Sequence, residues 1–145
     1  MASLLDELKN EDMSRISEIC ERVTFLTGEK LFGQGDIAWD MYIIRQGKVL
    51  MTRSSDDMGR VKLGVEGPGA FIGEIGMIED VPREFTAVAQ EEVKALKISK
   101  QALDGLQRTN LPLATRFYLA LIRELNKKLK KMNSYYTEIR TRLEG

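Results

Sequence analysis

After Pro112 the chain runs to Glu144 without another glycine or proline. Nothing in that stretch breaks a helix, so Leu111–Glu144, about 34 residues, can form one rod of ~50 Å. A chain of 145 residues folded as one domain has a radius of gyration of only ~15 Å. Its own domain cannot wrap such a helix along its whole length. Tyr118, Ile122, Leu125, Leu129, Met132, Tyr136, Ile139 and Leu143 follow alternating spacings of four and three, which is a heptad seam. A second stripe, Ala114, Phe117 and Leu121, suits packing onto the domain itself. With the register set by Ile122 and Leu125, the flanking positions include Asn126, Lys128, Asn133, Arg140 and Arg142 and supply no acidic partner. Apolar packing must carry any pairing, and the expected partner is a second copy of the chain. The alternative is a solvated helix folded back on its own domain.

Upstream the texture changes. Short β-rich runs (RVTFL, MYIIR, KVLMTR, RVKLGV, FTAVAQ and VKALKIS) alternate with turn-like TGEK, GQGD, RQGK, SSDDMG and QEE. This spacing predicts an antiparallel sandwich or barrel, and the absence of strand–helix–strand alternation argues against a parallel sheet. The expected class is therefore α+β, mainly β. A single domain, residues 1–145, would hold an antiparallel β-roll or jelly roll over 22–99. N-terminal helices over 3–23 and C-terminal helices over 100–144 would flank it. Ser3 is the expected first N-cap, and Met13, Ile16, Ile19, Cys20 and Val23 form the packing stripe that follows. Ser99 should cap a short helix through Gln107, and Asn110 the long one.

Several chemistries are excluded early. The chain has no His, which removes imidazole acid–base catalysis and zinc sites that need it. Its one cysteine, Cys20, cannot form an internal disulfide and lies on an apolar stripe, so an inert thiol in a reducing, cytoplasmic setting is expected. No apolar run reaches the ~18 residues of a membrane span, and MASLLDELKNED lacks a signal-peptide layout. No membrane association is expected. The 22 Lys+Arg match the 22 Asp+Glu, so the basic run Lys127, Lys128, Lys130 and Lys131 reads as a solvated face, and no nucleic-acid partner is expected. The carboxylate pairs Asp56-Asp57, Glu79-Asp80 and Glu91-Glu92 lie in turn-like segments where solvated charge suffices. An enzyme is not expected.

The informative stretch is GVEGPGAFIGEIGMIEDVPREFTAVA, Gly64 to Ala89. Gly67, Gly69 and Gly73 have the wrong spacing and context for a dinucleotide fingerprint. Gly73-Glu74 opens a short helical turn, and Pro82-Arg83 precedes a strand. Amides at a helix start attract an anion, glycine permits close approach, and an arginine can fork onto two phosphate oxygens. Glu74 is a poor phosphate ligand beside them but a good acceptor for sugar hydroxyls. The pattern predicts a sugar–phosphate cradle.

FIGEIGMIEDVPREFTA, with Gly28-Glu29, Leu31-Phe32, Gly35-Asp36, Tyr42-Ile43-Ile44 and Gly47-Lys48-Val49 upstream, resembles cyclic-nucleotide-binding domains of the catabolite-activator and kinase-regulatory-subunit types. The resemblance implies an eight-stranded β-roll of jelly-roll type with a phosphate-binding cassette at 71–86. Gly73, Ile75, neighbouring amides such as that of Gly76, and Arg83 would hold a cyclic phosphate, with Glu74 taking the ribose 2′-hydroxyl. Val61, Leu63 and Gly64 would wall the base, and the long helix would serve as dimer seam and lid. The sequence departs from the pattern where Glu84 and Phe85 stand at positions usually held by small residues. Lys128 and Leu129 replace the activator-type polar pair that reads adenine, leaving Asn126, Asn133 and Ser134 as other lid candidates. The implied function is a non-catalytic sensor without cofactor. Its default ligand is cyclic AMP, and binding would shift the C-terminal helices. The sensor would signal to a protein effector or form part of something longer. The alternatives are a dimerisation module with a degenerate pocket and a sensor of another cyclic mono- or dinucleotide.

Overall fold

Eight backbone pairings join β3 to its neighbours in the middle of the molecule, and this strand explains the architecture best. In the computed structural model, which describes residues 8–144, β3 (Asp40–Gln46) is apolar on both faces. Met41 and Ile43 point to one side and Tyr42 and Ile44 to the other, as strand alternation requires, and all four are buried. The MYII run is continuous because the strand separates two cores rather than covering one.

The remaining strands are β1 (Glu21–Phe25), β2 (Lys30–Phe32), β4 (Val49–Ser55), β5 (Gly59–Glu66), β6 (Phe71–Ile72), β7 (Thr86–Ala89) and β8 (Val93–Ser99). They form two antiparallel four-stranded sheets, ordered β1-β8-β3-β6 and β2-β7-β4-β5. One core lies between the sheets and gathers Phe32, Tyr42, Ile44, Val49, Ile72 and Ala95. The other lies under the helices, where Ile16, Met41, Ile43, Phe71, Leu103 and Phe117 meet. The expected mainly-β jelly roll is therefore present, with β2 and β6 added to the six strands legible in the sequence. At three and two residues, both are too short to show a period.

Among the described residues, four helices flank the roll: α1 (Asn10–Glu18), α2 (Glu74–Glu79), α3 (Lys100–Thr109) and α4 (Leu111–Glu144). The expected N-terminal helical block over 3–23 needs correction. Its Ser3 cap lies outside the described residues, and the chain leaves helix after Glu18. Val23 belongs to β1, paired with Ala95 of β8. The β-branched pair Val23-Thr24 favours the pleated surface that this pairing offers. Cys20 does pack against the core, where burial pushes its thiol up to about 12, and Sγ donates to the Ile16 carbonyl at 3.1 Å.

The C-terminal caps are formed as the sequence predicts. Ser99 Oγ accepts from the Ala102 amide at 3.0 Å, and Asn110 Oδ1 from the Leu113 amide at 3.3 Å. Each such cap contributes about 1 kcal/mol. Leu113, Ala114, Phe117, Ala120 and Leu121 bury the first turns of α4, and full burial of a side chain such as Phe117 stabilises by about 2–3 kcal/mol. Arg116 forks onto Asp12 of α1 with contacts of 2.7 and 3.0 Å, fastening the two helices together. From Leu129 onward every described residue of α4 is exposed. Among the described residues, no helix is long and apolar enough to cross a membrane.

Candidate functional site

Between β6 and β7 the chain makes a turn built around one buried cation. Gly73 adopts φ +82°, a left-handed conformation that glycine takes without strain. A Cβ there would lie 2.6 Å from Arg83 Nη1, so the missing side chain is also what admits the guanidinium. One turn on, a Cβ at Gly76 would meet the Ala38 Cβ at 2.6 Å, so α2 sits directly on the loop before β3. Both glycines are spatial requirements of the cassette.

Arg83 is 5% exposed, unusually buried for an arginine. Nη1 donates to the Gly73 carbonyl at 2.7 Å. Nη2 donates to the Asp40 carbonyl at 2.7 Å and to Asp40 Oδ1 at 2.8 Å, and the guanidinium carbon stands 4.1 Å over the Phe32 ring. Desolvation pushes the Arg83 pKa down, and the Asp40 carboxylate opposes that shift. Arg83 Nε is buried without a hydrogen-bond partner among the described residues. A buried N–H without an acceptor is costly to keep.

That cleft is lined by Phe32, Gly73, Glu74, Ile75, Gly76, Arg83, Glu84 and Phe85. The structure thus brings together the seven cassette positions that the sequence singled out. It adds Phe32 and, behind Arg83, Asp40. No side chain caps α2, so its opening amides are left to the cleft. Glu74 is 7% exposed, and burial raises its pKa; Lys128 and Arg83 oppose the shift and Glu66 reinforces it. Glu84 is exposed at the rim. Phe85 packs edge-on against Phe32, with 5.3 Å between ring centres, and so belongs partly to the inter-sheet core. The enclosed space is small, about 20 Å³, roughly room for one water.

The other expected residues lie apart. Val61, Leu63 and Gly64 are on β5, an edge strand paired only with β4, and do not line this cleft. On α4, Asn126, Leu129 and Asn133 are exposed and have no described contact with the cassette. Lys128 does reach the roll: its ammonium is 4.4 Å from the centre of the Phe71 ring and 4.0 Å from Glu66 Oε1. No local pattern marks Asp40 or Glu66, since single acidic residues at strand ends look like ordinary solvated charge. Phe32 lay within a quoted motif without a role of its own.

The model of the cyclic nucleotide-binding domain matches residues 22–110, and the chain belongs to that family. The family is one of regulatory nucleotide-binding domains. A cAMP-dependent protein kinase regulatory subunit from Mucor circinelloides f. lusitanicus is 28% identical over 103 residues, 71% of this chain and 24% of that protein. The chain thus spans about a quarter of that curated relative's length. Among solved structures, the N-terminal domain of a transcriptional regulator from Streptomyces coelicolor A3(2) is 31% identical with a TM-score of 0.74, covering 86% of this chain and 89% of the other. The c-di-GMP responsive global regulator CLP of Xanthomonas campestris is 28% identical with a TM-score of 0.78, covering 89% of this chain and 63% of that one.

Proposed function

We propose that this protein is a non-catalytic sensor of a 3′,5′-cyclic nucleotide in a reducing, cytoplasmic setting, with α4 as its output. The observation that carries the reading is a buried arginine, Arg83, with an unpartnered Nε, lining one cleft with Gly73, Gly76 and the uncapped start of α2. In this role Arg83 and the Gly73–Gly76 backbone bind the cyclic phosphate, and the Glu74 carboxylate accepts from the ribose hydroxyl. Those groups recognise the part of the ligand that all 3′,5′-cyclic nucleotides share. Cyclic AMP is the reference ligand, as the kinase relative's name and the sequence resemblance suggest.

The cleft opens to the surface along the start of α2, so a bound nucleotide lies against that helix. α2 touches α3 through the ion pair of Asp80 with Lys100, and Lys128 of α4 stands near Glu74. A ligand that displaces α2 therefore acts on both C-terminal helices. The exposed seam of α4 pairs with a second copy in this reading, and a protein effector reads the shift.

Calorimetric titration with cyclic AMP, beside an Arg83→Lys variant, tests the proposal. Lysine keeps the charge but loses the rigid fork. Saturable binding by the wild type and at least tenfold weaker binding by the variant are expected. If no cyclic nucleotide binds the wild type at millimolar concentration, the pocket is degenerate. The tightness of the cleft favours that second reading, with α4 as the surviving function.

A further inference from the structure

A second concavity adjoins the last turn of α2. It is a groove of about 410 Å³ between α2, α3 and the first turns of α4, with Met77 and Leu103 buried at its floor and Ile78 and Tyr118 at its sides. The Gln107 amide donates to the Tyr118 hydroxyl at 3.0 Å, and Lys100 pairs with Asp80 at the end of α2. Asp104 also lines the groove, but it is exposed and makes no hydrogen bond or ion pair among the described residues. An apolar floor edged by one uncompensated carboxylate fits a helix that carries an apolar stripe flanked by cations.

The distal half of α4 is such a helix. Tyr136, Ile139 and Leu143 form an exposed stripe, with Arg140 and Arg142 beside it. Each arginine meets only an exposed glutamate of its own helix, Arg140 with Glu144 and Arg142 with Glu138, and such pairs are weak. The helix cannot fill its own groove, because it is unbroken and carries Leu143 ~37 Å along the rod from Tyr118. The occupant must come from another molecule. Resting on the reading that α4 pairs with a second copy, we infer that the two α4 helices run antiparallel and that each seats its last turns in the groove of its partner, with Arg140 and Arg142 turned to the partner's Asp104. The seam fits this direction. About a centre between Leu129 and Met132, Tyr136 meets Leu125, Ile139 meets Ile122, and Leu143 meets Tyr118, which lines the groove. In a parallel pair both distal halves would point away from both rolls, and the arginines would find no acid along the seam. The antiparallel exchange is self-complementary, since each copy gives one helix and takes one, and it closes as a dimer. The first residues of α2 line the ligand cleft and its last turn lines the groove, so the docked helix touches the element that a nucleotide would touch.

Cysteine cross-linking and sedimentation on the whole chain test the inference. Under mild oxidation neither Ile122→Cys nor Ile139→Cys should cross-link alone beyond the wild-type level, and the two variants mixed should give a covalent heterodimer. Asp104→Arg should weaken self-association at least tenfold, about 1.4 kcal/mol. Adding Arg140→Asp and Arg142→Asp should restore it to within threefold. All of these positions are exposed, so the variants are expected to fold, which circular dichroism checks. Cross-linking of either cysteine variant alone would show parallel seams and overturn the inference. So would a mixture that does not cross-link, self-association unmoved by Asp104→Arg, or failure of the rescue. Each of those results leaves the sensor reading and the pairing of α4 standing. A monomeric wild type at tens of micromolar would overturn the pairing and the inference together, and the cyclic AMP titration would still decide ligand binding.

Discussion

The cassette and the distal half of α4 invert the usual distribution of residues in opposite directions. Around the cassette, charge is buried: Arg83, Glu74 and most of Asp40 are out of water. Along α4 beyond Leu125, apolar surface is exposed: Leu129, Met132, Tyr136, Ile139 and Leu143 all face solvent. A buried charge and an exposed apolar stripe are each informative where a buried leucine is not. The difference lies in how the chain compensates. Arg83 is held by a carboxylate, two carbonyls and a ring, so most of its charge is compensated within the chain. The distal seam touches nothing among the described residues. The first region compensates its charge within the chain, and the second leaves its apolar stripe uncovered.

Arg83→Leu should break the first half of this contrast with the largest effect. It strands Asp40 and removes the donor to the Gly73 carbonyl, and breaking a buried pair from one side costs about 3–5 kcal/mol. Urea unfolding should show that loss. A change within about 0.5 kcal/mol would mean that the arginine is an ordinary surface residue.

Charging the seam tests the second half. Leu129→Glu with Ile139→Glu changes only residues that the single chain leaves exposed, so its β-rich circular dichroism should persist. Sedimentation at tens of micromolar should show a dimeric wild type and a monomeric variant, with self-association weakened at least a hundredfold, about 2.7 kcal/mol. A monomeric wild type would refute the pairing.

Glu74 sharpens the comparison, because its charge is only partly compensated. Burial raises its pKa above the ordinary 4.5, so the folded state disfavours the carboxylate. Its contribution to stability is complete below 4.5 and is lost as pH rises through the raised value. Glu74→Gln should therefore be more stable than wild type at pH 7, by denaturant midpoint, and the gap should close in acid. A gap independent of pH would place its origin in packing.

The smallest effect is expected at Glu84, which is exposed at the cleft rim. Glu84→Ala should tighten cyclic-nucleotide binding by less than about tenfold, or 1.4 kcal/mol. An inert wild type beside a variant that binds at micromolar strength would show that this carboxylate blocks the site.

Local pattern carried much of this molecule. Caps at Ser99 and Asn110, the unbroken α4, six of the strands and the cassette spacing all depend on residues close together in sequence. Each is set by turn chemistry or periodicity within one element. The end of the first helical block is not set locally, because Val23 fits an apolar helical stripe as well as a strand, and only pairing with β8 separates the two. The partners of Arg83 were out of reach for a similar reason. Asp40 lies forty-three positions upstream of it and joins it only when β3 is laid beside the cassette. Lys128 meets Phe71 and Glu66 only because α4 folds back across the roll. Sequence alone determined the six longer strands, the C-terminal helices and the position of the cassette turn, because those depend on nearest neighbours and period. Tertiary structure alone decided which charges are buried, what compensates them and which half of α4 is left uncovered, because desolvation and Coulomb energy depend on distances in space.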